Sequence, residues 1–269
     1  MPAVGLASSS GSVYVRPMFQ RVPDVPGLSF ELAGVEATAL ACGGLWLAAA
    51  RTLVVSDLHL EKGSSYAARG QMLPPWDTAA TLARVAAAID RLAPEIVVAL
   101  GDSFHDMGAG GRVASQDREH LAALADRADW IWIEGNHDPA PPGWASGLRA
   151  AEWRIGPLVL RHEPTDGPSP GEIAGHLHPS AVVMGQGGRR VRRRCFATDG
   201  RRLVMPAYGA FAGGLDLLDA AFAPMFGPDV TAMMLGRDRV YAVPARRLIP
   251  VRAPRKAPRE PVPSPADTL

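Results

Sequence analysis

Three short apolar runs, TLVVS (52–56), IVVAL (96–100) and WIWIE (130–134), each stop at polar residues and are separated by segments with helical spacing. Between the first two, Asp77 or Thr78 is placed to cap a helix running through Arg91, with Leu82, Val85, Ala86 and Ile89 on one face. A second helix is expected near Ser115 to Ala128. Strands alternating with helices in this way imply a parallel sheet covered by helices. LWLAA (45–49) precedes the first run, and a tight turn at Ala50–Arg51 pairs the two as a hairpin. Beyond residue 155 the texture changes to short strands, PLVLRH, GEIAGH, AVVMG, RRLVMP and RVYAVP, set between Gly- and Pro-rich turns. These complete the first sheet and add a second.

The expectation is one α/β domain over residues 26–251, with two mixed sheets packed face to face and helices outside. Residues 1–25 read as a flexible lead-in. The Pro-rich segment 252–269 cannot build a core and reads as a solvated tail or a docking segment. A chain of 269 residues with 47% apolar and 20% charged side chains supports a large core and excludes wholesale disorder. Cys42 and Cys195 lack CxxC spacing, which fits a reduced setting without a disulfide framework. The N-terminus does not read as a signal peptide, and no apolar run approaches the ~20 residues of a membrane span. A soluble, cytoplasmic protein is expected.

The chemistry gathers where strands end. TLVVS runs into Asp57 and His59, IVVAL into Gly101 and Asp102, and WIWIE into Gly135, Asn136, His137 and Asp138. PLVLR runs into His162, and GEIAG into His176 and His178. Ligands of α/β sheets collect at the carboxyl ends of strands, so five such ends can converge on one site. In extended chain residues i and i+2 face one side, which pairs Asp57 with His59 and His176 with His178. Glycines at 101, 135 and 175 suit tight turns and close backbone approach. Two carboxylates, an amide and several imidazoles without a thiolate suit Mn, Fe or Zn. Two divalent ions, two carboxylates and a bridging hydroxide would leave about one positive charge, which attracts a phosphate and stabilises its displacement.

The ordered series D-x-H, GD, GNHD, a lone His and GHxH resembles the calcineurin-like metallophosphoesterase superfamily. That resemblance implies a four-layer α/β/β/α sandwich with a dinuclear metal site at one edge. SDLHLEKGSSYAARGQMLPPWDTAATLARV (56–85), GDSFHD and MPAYGAFAGGLDL (205–217) are similar to the bacterial DNA-ligase-associated metallophosphoesterases, described as DNA damage response endonucleases. Carried over, Asp57, His59 and His178 would hold one ion, Asn136, His162 and His176 the other, and Asp102 would bridge them. His137 would protonate the leaving group or stabilise charge on the phosphate, with Asp138 orienting it, and the bridging hydroxide would attack. The ions implied are two divalent metals, Mn(II) foremost, with Fe, Zn or Mg as alternatives. The partners implied are DNA or another phosphodiester, with an ATP-dependent DNA ligase, a helicase and a processing exonuclease.

A loop expected over 61–76 follows the first metal motif directly. Its Lys62, Tyr66 and Arg69 are placed to meet phosphate or sugar and Trp76 to stack on a base, or else the aromatics cover the core. His105 is a further candidate for substrate contact. GGRRVRRR (187–194), with Arg201 and Arg202, reads either as a nucleic-acid patch or as a solvated hairpin. A phosphodiesterase acting on DNA in repair is therefore the leading expectation. Its alternatives are a small-molecule phosphodiesterase, pyrophosphohydrolase or phosphatase with the same metal site, and a non-catalytic scaffold for repair partners.

Overall fold

The structure is a computed structural model that describes residues 19–21 and 26–251. Its first sheet runs in chain order: β1 (Phe19–Arg21), β2 (Gly27–Leu32), β3 (Val35–Leu40), β4 (Leu45–Leu47), β5 (Thr52–Val55), β6 (Ile96–Leu100), β7 (Asp129–Ile133) and β8 (Leu148–Ala150). Strands β1 to β5 pair antiparallel, and β5 to β8 pair parallel. The expected hairpin is β4–β5, closed by a 3-10 turn at Ala48–Ala50 and by Arg51 in left-handed conformation. β1 lies inside the expected lead-in and adds an edge strand. The other residues of that lead-in, and the tail from 252, lie outside the described residues.

Parallel pairing requires crossovers, and these supply the helices α1 (Lys62–Ala68), α2 (Asp77–Leu92), α3 (Ala109–Arg112) and α4 (Ser115–Ala125). Leu82, Val85 and Ile89 of α2 and Leu121 and Leu124 of α4 bury against Leu53, Val55, Val97 and Ala99 on the outer face of the sheet. The helix over 77–91 is thus present, but neither expected residue caps it. The Asp77 carboxylate accepts from Gly63 N–H, and Thr78 Oγ1 accepts from Glu61 N–H while donating to the Glu61 carboxylate. Both side chains fasten the stretch before α1. That stretch continues as a helix over 62–68, where an open segment was expected.

The second sheet holds β9 (Glu152–Ile155), β10 (Leu158–Arg161), β11 (Glu172–Ala174), β12 (Pro179–Met184), β13 (Arg190–Thr198), β14 (Leu203–Val204), β15 (Leu215–Asp216), β16 (Thr231–Leu235) and β17 (Val240–Pro244). β10 and β11 run parallel, which brings the segments after both to one edge. Between the sheets lies one core, in which Leu47, Val54, Leu100 and Ile133 meet Leu160, Ile173, Phe196 and Met233. Truncating any of its leucines costs about 2–5 kcal/mol. The two mixed sheets, with helices over the outer face of the first, match the expected architecture. Outside the second sheet, the cover is built among the described residues from loops and 3-10 turns carrying Leu217, Phe222, Met225, Phe226 and Leu248.

The arginine run divides on β13. Arg192 bonds Ser180 Oγ and the Gly214 carbonyl, and Arg194 bonds the carbonyls of Ala207 and Gly209. Arg202 is only 2% exposed and pairs with buried Glu172, so it belongs to the interior and to no surface patch. Among the described residues no helix is long and apolar enough to cross a membrane.

Candidate metal centre

Past their last strand residues, β5 and β6 remain hydrogen-bonded. Asp57 N–H donates to Gly101 O, His59 N–H to Asp102 O and Leu60 N–H to Ser103 O. The two chains leave the sheet together, yet they are not extended. Asp57, His59, Asp102, His176 and His178 all have positive φ, between 44° and 66°. They make up five of the nine non-glycine residues with positive φ among those described. This conformation costs about 1 kcal/mol or more per residue, so the surrounding bonds have to hold it. Side chains two apart converge here through left-handed turns, where the alternation of a strand was expected.

Glycines make room for the crossing chains. A Cβ on Gly175 would stand 2.0 Å from Ser56 Oγ and 2.6 Å from Asp57 Oδ2. One on Gly135 would stand 2.2 Å from Asp102 N and 2.4 Å from Asp102 Oδ1. The segment MPAYGAFAGG closes over Asp57. Tyr208 and Gly209 N–H groups donate to the carbonyls of Ser56 and Asp57, Ala210 N–H donates to Thr81 Oγ1, and Arg84 holds Tyr208 O.

Two sets of donors result. Asp57, His59 and His178 offer donor atoms within 4.8 Å of one another, and so do Asp102, His162 and His176. Each set draws on both sheets, because Asp57, His59 and Asp102 follow β5 and β6 while the other histidines follow β10 and β11. Burial of Asp57 works against its ionised form, but His178, His162 and Ser56 prevail and keep its carboxyl below the usual range. Asp102 is likewise held down against burial, by His162 and the His137 N–H. Burial lowers His59 to about 4, which leaves a neutral ring with a free electron pair. His162 rises to about 9 despite burial, because Asp102 and Asp57 face it.

These residues fit a pair of cations. Asp57 Oδ1 lies 3.1 Å from His178 Nε2 and His162 Nε2 lies 3.4 Å from Asp102 Oδ1, each facing another donor atom of its own set. His59 and His178 turn their Nε2 atoms toward each other at 3.3 Å. His162 Nδ1 sits 3.0 Å from Leu100 O, an arrangement that keeps a proton on Nδ1, so that a cation would displace only the Nε2 proton that Asp102 and Asp57 favour. Oxygen and imidazole donors without sulfur suit divalent ions of intermediate hardness.

The other expected residues lie around this centre. His137 is about half exposed, its Nε2 stands 3.9 Å from Asp102 Oδ2, and its ring stacks on His105 with centroids 5.7 Å apart. Tyr66 reaches His105 at 6.0 Å, and Lys62 Nζ lies 5.9 Å from the Tyr66 ring, so α1 extends the ring stack outward. Arg69, at the exposed end of α1, adds positive charge felt at His105. Asn136 is exposed, and its Nδ2 donates to Glu163 Oε1 at 2.7 Å, which leaves its Oδ1 for another partner. Asp138 was expected to orient His137. Its carboxylate accepts from Phe104 N–H at 2.9 Å, and no hydrogen bond or ion pair joins it to the His137 ring. It braces the turn after β7 against the turn after β6. Trp76 is exposed ahead of α2 and covers no core.

Sequence reasoning missed two supporting residues. Ser56 donates to Asp57 Oδ2 at 2.5 Å, and Glu163 takes the Asn136 amide. Each is the immediate neighbour of a candidate ligand, and that adjacency was the available signal.

The family model for calcineurin-like phosphoesterases matches residues 50–200. The solved structure of Pseudomonas putida nuclease MPE is similar at 28% identity and a TM-score of 0.64, covering 81% of this chain and 100% of that one. Yfce, a phosphoesterase from E. coli, aligns at 16% identity and a TM-score of 0.36 over 72% of this chain and 98% of its own, too low to carry weight. No curated protein matches the sequence significantly.

Proposed function

From the premise that this chain belongs to the calcineurin-like phosphoesterase family and is a metal-dependent phosphoesterase, we propose that it cleaves phosphodiester bonds in DNA. The observation that carries the reading is the pair of donor sets side by side at the joint edge of the two sheets. Similarity to a nuclease along 81% of the chain supports a nucleic acid as the substrate. In this reading Asp57, His59 and His178 would hold one ion and Asn136, His162 and His176 the other, with Asp102 contributing to both. Mn(II) is the proposed metal. Two such ions supply Lewis acidity toward the phosphate and an activated water.

The chain's own groups do the rest. His137 is reachable from solvent and stands beside Asp102, so it gives a proton to the departing oxygen. His105 stacks on His137 and keeps its ring upright, while Lys62, Tyr66 and Arg69 line the approach for phosphate and sugar. Glu163 takes the Asn136 amide N–H, so that the amide oxygen stays available to an ion. Likeness to the ligase-associated group extends the proposal to work in DNA repair beside a DNA ligase, a helicase and an exonuclease.

Purified protein with Mn(II), given a chromogenic phosphodiester, its monoester counterpart and supercoiled plasmid, tests this reading. Nicking that disappears in Asp102→Ala and His137→Ala supports it. Diester hydrolysis with intact plasmid overturns DNA as substrate and leaves a small phosphodiester. His137→Ala is expected to lose about 10²–10⁴-fold in kcat while keeping two ions by native mass, whereas Asp102→Ala loses metal.

A further inference from the structure

At the far end of β12 from His178, the outer face of the second sheet opens into a groove of about 810 Å³. The ends of β12 and β16 meet the starts of β13 and β17 there, and half-buried Val183, Val191 and Val243 form its floor. Tyr241 stands on it, 51% exposed. Arg193, Arg237 and Arg247 are exposed around it, and among the described residues no carboxylate is ion-paired with any of the three. Three guanidinia without a carboxylate partner, set around an apolar floor, suit an anion that also carries apolar faces.

We propose that this groove binds single-stranded DNA, as a second contact for strands that are cut at the metal centre. Guanidinium planes match phosphate oxygens, and the Tyr241 ring and valine floor receive bases that a duplex would keep stacked inside. Strand β12 links the two places. From His178 to Val183 is five residues, about 17 Å of strand, or about five stacked nucleotides. The arginine run thereby acquires a division of labour in which Arg192 and Arg194 hold the fold and Arg193 meets the substrate.

The inference rests on the DNA reading of the metal centre, and the test separates the two. The Mn(II)-loaded full-length chain and its Arg193→Ala/Arg237→Ala variant are given a fluorescein-labelled oligothymidylate of about 16 nucleotides, a length within one fold's binding range. Both are also given the chromogenic diester. The variant is expected to show KM for the oligonucleotide raised about tenfold, with the salt slope of binding reduced by about 1.4, as expected for two lost contacts on a single strand. Unchanged kcat and KM for the small diester certify its fold and metal centre, and Arg→Lys at both positions restores most of the slope. If the wild type cuts the oligonucleotide and the variant is unaltered in KM and slope, the groove is not a DNA site and is left to a protein segment. If the wild type hydrolyses the diester but neither binds nor cuts the oligonucleotide, the DNA reading of the centre fails and the groove's assignment fails with it.

Discussion

Single residues decide whether the ion-binding turns can form. Gly175 lies where two chains cross, and the methyl group of Gly175→Ala would enter the space of Ser56 Oγ and Asp57 Oδ2. Overpacking of this kind costs about 1–3 kcal/mol, and it falls on the residue with the most bonds in the centre. The expected result is a folded, less stable protein that has lost bound metal, read by elemental analysis alongside a thermal melt. Retention of two ions would contradict that placement. Much of the centre is legible at this scale in the sequence, because polar residues that interrupt apolar strand ends have few structural uses. The left-handed conformation of five candidate ligands is not legible, since it is imposed by bonds from chains distant in sequence, such as His176 N–H to Asp57 Oδ2. Nor could Asp138 be told from an orienting acid before its carboxylate was seen on Phe104 N–H.

Among the elements, α1 depends on its neighbours. Seven residues are too few for a helix to hold itself, and KGSSYAA has no side-chain cap. Asp77 and Thr78 fasten one end, and Arg112 of α3 bonds Ser64 Oγ and the Asp106 carboxylate. Burial would raise the Asp106 carboxyl, but Arg112 and Ser65 hold it down at about 2. A folded-state value below the unfolded one stabilises above about pH 4, and this contribution disappears as pH falls from about 4 toward 2. With both partners about a third exposed, it amounts to about 1 kcal/mol. Urea midpoints of Asp106→Asn and the wild type should therefore differ at about pH 5 and lie closer together at about pH 3. Where Arg112→Ala loosens α1, KM for DNA is expected to rise more than kcat falls. Helix α1 escaped the sequence reading because its support is tertiary. α2 and α4 were legible because an apolar face repeats along them. Buried Arg202 escaped too, for its partner Glu172 is thirty positions away. Removing one member, as in Arg202→Met, is expected to cost about 3–5 kcal/mol in urea unfolding, with the metal count unchanged.

On the scale of the whole molecule, the two sheets were predictable and their joint was not. Short strands between turns announce a second sheet, but nothing local states which of their ends will face Asp57 and Asp102. Since each donor set draws side chains from both sheets, bound ions tie one sheet to the other. At a free metal concentration about a thousandfold above Kd, each ion adds about 4 kcal/mol, or about 10 °C in melting midpoint for a chain of this size. Calorimetry with and without Mn(II) measures this increment, and it should shrink sharply in Asp102→Ala. The same straddling of the sheets gives the protein a form of quality control. A chain still emerging from synthesis, or one whose second sheet has come away, holds two of three residues in one set and one of three in the other. Such half-formed molecules are expected to be inert toward phosphodiesters, so cutting power arrives in a single late step, once the last histidine has been threaded into place.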